Sequence, residues 1–245
     1  MSNILEMRAV RKSFGSVHAL RGVDFSLAEG EITALLGDNG AGKSTLAKII
    51  SGLYAPTSGQ VLIDGAQVTK FSVKHARQLG VETVYQDRAL GYSQPLWRNL
   101  FAGRHLTNCF GLINAAAEKQ AAADIIAQLG LSGAGVSPDT PALLLSGGER
   151  QGLAIGRAMH FKARIVILDE PTTALAVGEV EKVLDFMRRV KQEGRSVMVI
   201  THSVEHAWRV ADRFVVLSHG KIFGEWRRQG LTAGSLLEKL IEAEK

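Results

Sequence analysis

The nine residues GDNGAGKST, Gly37 to Thr45, constrain this chain more than any other stretch. Three glycines within six positions let a loop turn its backbone N–H groups inward on an anion. The apolar run EITALL precedes the loop, and helical spacing begins at Lys43 and ends near Gly52. A strand that feeds such a loop and then a helix is a unit of an open α/β sheet, whose ligands sit at the carboxyl edge of the strands. The pattern is G-x-x-x-x-G-K-[ST] in its proper context. Lys43 supplies a point charge for β and γ phosphates, Ser44 a hydroxyl for Mg²⁺, and the helix N-terminus a partial positive charge. Gly37, Asp38, Asn39, Gly40, Ala41, Gly42, Lys43, Ser44 and Thr45 are therefore the expected phosphate cradle.

A second strand, in RIVILDEPTTAL, ends in Asp169 and so delivers a carboxylate to a sheet edge. Successive strand residues point opposite ways, and Asp169 and Glu170 therefore take different work. One carboxylate can hold Mg²⁺ by way of water while the other faces an attacking water as general base. A third short run, SVMVI at 196–200, leads to His202. Its strand end is expected on the same edge as Asp169, in reach of a γ-phosphate; the other six histidines are read as packed or solvated. GEVEKVLDFMRRVKQEG, between the two runs, reads as the crossover helix of parallel strands.

Elsewhere the chain alternates strand and helix signals without repeats or low-complexity segments. ILEMRAVRKSF and VDFSLAEGEITALLG read as short strands broken by glycine turns, and GQVLIDGAQV as a hairpin turning at Asp64-Gly65. Residues 114–130 are alanine-rich and helix-favouring, closed by Gly130, and the stretch from about 90 to 150 shows no convincing strand. A length of 245 residues suits one core with a smaller lobe. The net charge of +5 is spread out, so a nucleic-acid-binding face is not expected. One cysteine, Cys109, excludes an internal disulfide and a thiolate zinc cluster, fits a reducing compartment, and reads as semi-buried. MSNILEMRAVRKSF lacks the apolar run of a secretory signal, and no window approaches a membrane span. These features place the chain in the cytoplasm.

The deciding addition is LSGGERQ, residues 145–151, opening an apolar-periodic helix. Ser146 with the amides of Gly147 and Gly148 at a helix N-terminus makes a second anion-binding surface in the same chain. The combination resembles the ATP-binding cassette family over essentially the whole length. The resemblance implies an α/β P-loop NTPase core with a mixed sheet, an N-terminal antiparallel β subdomain and an inserted α-helical subdomain. It implies a single domain spanning 1–245, with 1–88 and 160–245 as catalytic core and about 89–159 as helical lobe. Its cofactors would be ATP and Mg²⁺. In that frame Asp169 is the magnesium aspartate, Glu170 the catalytic glutamate and His202 the switch histidine. Gln86, in VYQDRAL, matches the glutamine that contacts the metal and attacking-water region, and Phe14, in RKSFGSVHAL, stands where an aromatic stacks on adenine.

Family members face each other head to tail, the signature of one copy capping ATP on the other, so the expected partners are a second identical copy and integral-membrane permease subunits. A solute-binding protein outside the membrane would act indirectly, and the chain would lie on the inner face of the cell membrane. The 60 positions from Gln86 to Ser146 suit a lobe that engages a membrane subunit and are too few for long coiled-coil arms. GDNGAGKST, VYQDRAL, NLFAGR and EPTTAL look most like ATPase subunits of bacterial ribose, xylose and fructose importers, of the single-cassette kind. The alternative is a cytosolic regulatory or assembly ATPase. Leu96, Trp97, Leu100, Phe101 and Phe110 sit on a lobe not expected to bury all five: they offer an apolar groove for a coupling helix or pack within the lobe itself. Two departures stand out: Glu149 where the signature usually has Gln, and Ala176 where an aspartate often crosses the dimer.

Overall fold

The apolar runs around the phosphate loop form adjacent buried strands. The computed structural model describes residues 2–85, 90–131 and 135–243. Their elements, in chain order, begin with β1 (Asn3–Phe14), β2 (Val17–Ala28), β3 (Ile32–Leu36), α1 (Lys43–Ile50), β4 (Ser58–Ile63), β5 (Ala66–Gln67), α2 (Val73–Gln78) and β6 (Val81–Val84). There follow α3 (Leu96–Phe101), α4 (Ala115–Gln128), α5 (Gly147–His160), β7 (Ile165–Asp169), α6 (Val177–Gln192) and β8 (Ser196–Ile200). The chain closes with α7 (Val204–Val210), β9 (Arg213–Ser218), β10 (Lys221–Arg227) and α8 (Ala233–Ala243). These elements fall into two compact units, Met1–Gln86 with Ala163–Pro171 and Met187–Lys245, and Asp87–Lys162 with Thr172–Phe186.

The first unit holds two sheets. An antiparallel sheet runs β2-β1-β4-β5, and a mixed sheet runs β10-β9-β3-β8-β7-β6, with β9 through β6 parallel and β10 antiparallel at the edge. The Asp64-Gly65 hairpin forms as its sequence predicts: both residues have positive φ (51° and 74°) and Ile63 pairs with Ala66. β3, β7 and β8 are buried along their whole length, which is why they read as continuous apolar runs rather than alternating ones. Leu46, Ala47, Ile49 and Ile50 of α1 share one core with Leu5, Met7 and Val61 of the antiparallel sheet and with Ile165, Ile167, Met198 and Val215 of the mixed sheet. This packing clamps the helix that follows the phosphate loop.

Some elements escaped the sequence reading. β6 carries Glu82 and Thr83 among its four residues, and only the fold shows that Glu82 is buried and faces Arg77 at 3.6 Å. β9 is an apolar run comparable with β8, but nothing local assigns it to the far side of β3.

The second unit is helical. Asn114 caps α4 by accepting the Ala117 N–H at 3.1 Å. Here the structure decides between two readings. Leu96, Trp97, Leu100 and Phe101 do not line an open groove: they are 0, 8, 1 and 0% exposed and form the lobe's own core with Ile125, Ile126 and Leu153. All four belong to one short helix whose apolar face turns inward. Phe110 alone of the five stays out, at 83% exposed, and Cys109 beside it is exposed rather than semi-buried.

This difference is measurable by urea unfolding. Phe101→Ala should destabilise the protein by about 3–5 kcal/mol through a buried cavity. Phe110→Ala should stay within about 0.5 kcal/mol of the parent, as a solvated surface change does.

Candidate functional site

Strand order assembles the site. β8 lies between β3 and β7 in a parallel array, so the segments leaving their carboxyl ends are neighbours. β3 leads into the phosphate loop, β7 ends at Asp169 with Glu170 next, and His202 follows β8. Glu170 donates its backbone N–H to the Ile200 carbonyl at 2.9 Å and has φ of 49°, a left-handed conformation that a glutamate adopts only where its surroundings hold it. Its Oε1 lies 3.0 Å from His202 Nδ1. The glutamate is largely buried while the histidine is 66% exposed, so the imidazole caps the carboxylate on its open side.

The loop is built around Lys43. Its Nζ donates to the carbonyl oxygens of Gly37 at 2.5 Å and Asp38 at 2.8 Å, and the side chain is almost wholly buried. Burial lowers the Lys43 pKa, opposed by the charges of Glu170, Asp169 and Asp38. Asp169 shifts the other way. Burial and then the charge of Glu170 raise its pKa, opposed by a hydrogen bond from Ser44 and by Lys43 and Lys48. Gly42, with φ of 108°, starts α1, and a Cβ there would meet the Ala19 carbonyl oxygen at 2.7 Å. At Gly37 a Cβ would run into the Leu217 carbonyl. Glycine at these two positions is thus a packing requirement as well as a conformational one.

Beside the loop opens a cavity of about 440 Å³, walled by Ser16, Val17 and Arg21 of the β2 side, the loop itself, and His219 in the β9–β10 turn. That turn is tied to the loop, since Gly220 donates to the Ala41 carbonyl at 3.0 Å and Arg21 donates to the Gly220 carbonyl at 2.8 Å. Phe14 lies just before this wall, 43% exposed, edge-on to Tyr54 at 5.2 Å with Lys12 Nζ 5.0 Å from its ring centre.

The LSGGERQ segment belongs to the second unit. Ser146 caps α5 through a full capping box: its Oγ accepts the Glu149 N–H at 3.3 Å, and Glu149 Oε2 accepts the Ser146 N–H at 2.8 Å. Glu149, a departure in the sequence, thus serves the helix start. Gly147 and Gly148 form the first turn, where amides are free of intrahelical partners.

The family model described as ABC transporter matches residues 20–173. The chain belongs to the ABC transporter family. It is 42% identical over 240 residues to the xylose/arabinose import ATP-binding protein XylG of Sulfolobus acidocaldarius, covering 97% of this chain and 94% of that one. To the ribose import ATP-binding protein RbsA 1 of Rubrobacter xylanophilus it is 40% identical, covering 91% of this chain and 44% of that protein. It therefore spans about half the length of its ribose-import relative. Among solved structures, the ADP conformation of MJ1267, an ATP-binding cassette of an ABC transporter, superposes with a TM-score of 0.85 at 25% identity, over 100% of this chain and 99% of that one. The dimeric post-hydrolysis state of the cassette MJ0796 bound to ADP and Pi superposes with a TM-score of 0.78 at 25% identity, over 93% and 100%. This chain is an ABC ATPase that resembles the subunits of monosaccharide importers, and its α/β fold with an antiparallel N-terminal sheet is the cassette fold.

Within this ABC ATPase the structure brings Lys43, Ser44, Asp169, Glu170 and His202 to one sheet edge. Ser146, Gly147 and Gly148 stand together on α5, in the other unit. Gln86 lies outside the described residues. Val17, Arg21 and His219 line the cavity and went unnoticed in the sequence, where no motif marks them; the strand continuing past Phe14 was the only signal for the first two. Among the described residues no group of three His, Cys, Asp or Glu side chains can hold a metal ion. A divalent cation fits here in another way: the Ser44 hydroxyl beside Asp169 is a hard oxygen pair, and the Asp169 pKa, raised partly by Glu170, marks negative charge that a cation would relieve.

The same shift sets a stability prediction. A carboxyl whose folded pKa is raised favours folding when protonated and loses that contribution as pH rises through the raised value. Asp169→Asn should therefore raise the melting temperature of the nucleotide-free protein at pH 7. The gain should vanish as pH falls below the ordinary aspartate range. Thermal scans of both proteins between pH 3 and pH 8 in nucleotide-free buffer measure it; equal melting temperatures at pH 7 would contradict the assignment.

Proposed function

We propose that this ATPase works as an ATP-dependent homodimer that drives import of a monosaccharide through integral-membrane permease subunits. The observation that carries the reading is the meeting of a buried lysine, a buried aspartate and a histidine-capped glutamate at three neighbouring strand ends. The import names of the sugar relatives support the transport assignment. We take residues 1–245 as one cassette, peripheral on the inner membrane face, supplied indirectly by a solute-binding protein and with no nucleic-acid partner. Among the described residues no helix is long and apolar enough to cross a membrane. In the helical lobe, Phe110, Leu112 and Ile113 remain as exposed apolar residues for a membrane subunit to cover.

The chemistry follows from the side chains. Adenine stacks on Phe14, and the triphosphate enters the cradle from Gly37 to Thr45. Lys43 exchanges its two carbonyl acceptors for β and γ phosphate oxygens, a replacement of neutral acceptors by charged ones. Ser44 and Asp169, with Gln86, would hold Mg²⁺, which when bound neutralises phosphate charge. Glu170 takes the proton of the attacking water as general base. His202 holds the Glu170 carboxylate in place and reaches toward the γ-phosphate. Ser146, Gly147 and Gly148 of a second copy close the site from the opposite side, as an isologous dimer requires. MJ0796, a dimeric relative of the same fold, supports that arrangement.

Lys43→Ala should abolish ATP turnover in a phosphate-release assay; near-parental turnover would refute the cradle. Glu170→Gln keeps size but accepts no proton, so it should stall the closed state and, given ATP, scatter light at twice the monomer mass. Adding Ser146→Arg should return it to monomer. Copurification from native membranes with an integral-membrane permease tests the transport assignment. Recovery with a soluble partner instead would favour a regulatory ATPase.

A further inference from the structure

A second cavity opens in the first unit, at the edge of the mixed sheet opposite the phosphate loop. It measures about 750 Å³, within the range of small-molecule sites. Its wall is made where strands start or finish: Glu31 and Asp212 directly precede β3 and β9, Asn3 begins β1, and Arg227 ends β10. The phosphate loop leaves the other end of β3, so five strand residues, roughly 16 Å, separate this cavity from the nucleotide end.

The wall is charged and held in place. Glu31 is 4% exposed; its Oε1 accepts the Thr33 hydroxyl at 2.9 Å and lies 3.0 Å from Arg213 Nε, and its Oε2 accepts from Arg227 at 3.2 Å. Asp212 is held as firmly, with Oδ1 2.6 Å from Lys191 Nζ and Oδ2 accepting the Ile32 N–H at 2.9 Å. Arg228 differs. Its backbone N–H is fixed to the Asp212 carbonyl at 2.9 Å and its guanidinium lies over the Trp208 ring, 5.1 Å from the centre, yet no carboxylate among the described residues pairs with it. An aromatic face orients a cation without neutralising it.

These groups select a ligand. Lys191, Arg227 and Arg228 face two carboxylates that are already matched, so the charge left over is positive and an anion is favoured. Guanidinium forks suit phosphate oxygens. A bare phosphate would leave most of the volume empty, while Glu31 Oε2 accepts from Arg227 alone and keeps a lone pair for a hydroxyl. The Asn3 and Gln229 amides can both donate and accept. Apart from Ala28 and Gly30 every wall residue is polar or charged, so a hydrophobic ligand finds no surface there.

We propose that this cavity binds a small hydroxylated phosphate monoester, of the sugar-phosphate class, with its phosphate on Arg228 and Arg227 and its hydroxyls on Glu31, Asn3 and Gln229. The site is independent of the phosphate loop and of what the protein transports.

The test is a calorimetric titration of the full chain carrying Lys43→Ala, which disables the phosphate loop, with ribose 5-phosphate as the probe. One saturable site is expected. Adding Arg228→Glu should weaken it at least about tenfold, the scale of one charge-assisted contact, and Arg228→Lys, which keeps the charge, should lose less. Both variants should melt at the parental temperature, as changes at an exposed side chain do. Ribose, without the phosphate, should show no saturable binding, and inorganic phosphate, without the hydroxyls, should bind more weakly than the probe. Equal affinity for inorganic phosphate means an adventitious ion only and overturns the proposal. So does a probe affinity unchanged by Arg228→Glu, or no saturable binding at millimolar probe.

Discussion

A buried ammonium without a strong counter-ion governs the nucleotide end of this protein. Lys43 is surrounded by the carbonyl dipoles of its own loop, and the carboxylates of Asp169 and Glu170 act on it through their field. Burial disfavours its charge and those anions favour it, so the site is poised for a ligand that brings negative charge closer. Everything around Lys43 serves that condition. α1 is clamped between two sheets by Leu46, Ile49 and Ile50, and the β9–β10 turn is tied to the loop through Gly220 and Ala41. Glycine at 37 and 42 lets neighbouring backbone come within contact distance.

The lysine of the loop is engaged inside the chain before any phosphate arrives. Lys43 donates to Gly37 and Asp38. Binding is then an exchange of internal acceptors for phosphate oxygens, and its free energy is the difference between two acceptors rather than the whole strength of either. Such a site responds steeply to the charge and geometry of what enters.

The legible parts of the site were those that local spacing encodes. Gly37 to Thr45 needs a strand before it and a helix after it, and both lie within a few residues. Asp169 and Glu170 announce themselves by following an apolar run, and Ser146 by preceding an apolar-periodic helix. The illegible parts depend on distant partners. The four apolar residues of α3 could be groove or lobe core, because nothing nearby says that Ile125, Ile126 and Leu153 will cover them. Arg21 and His219 belong to no motif, and 198 positions separate them in the chain.

The sequence by itself determined the chemistry available: which residues can cradle phosphate, accept a proton, cap a helix or turn a hairpin. Those choices rest on backbone conformations and side-chain types that act over a few residues. Tertiary structure alone decided that β8 runs between β3 and β7, which places His202 against Glu170 and both beside the loop. It also decided that Glu179 packs against Gly148 at the start of α5. Strand neighbours and helix contacts are set by which apolar faces can be buried together, a property of the whole chain that no short window contains.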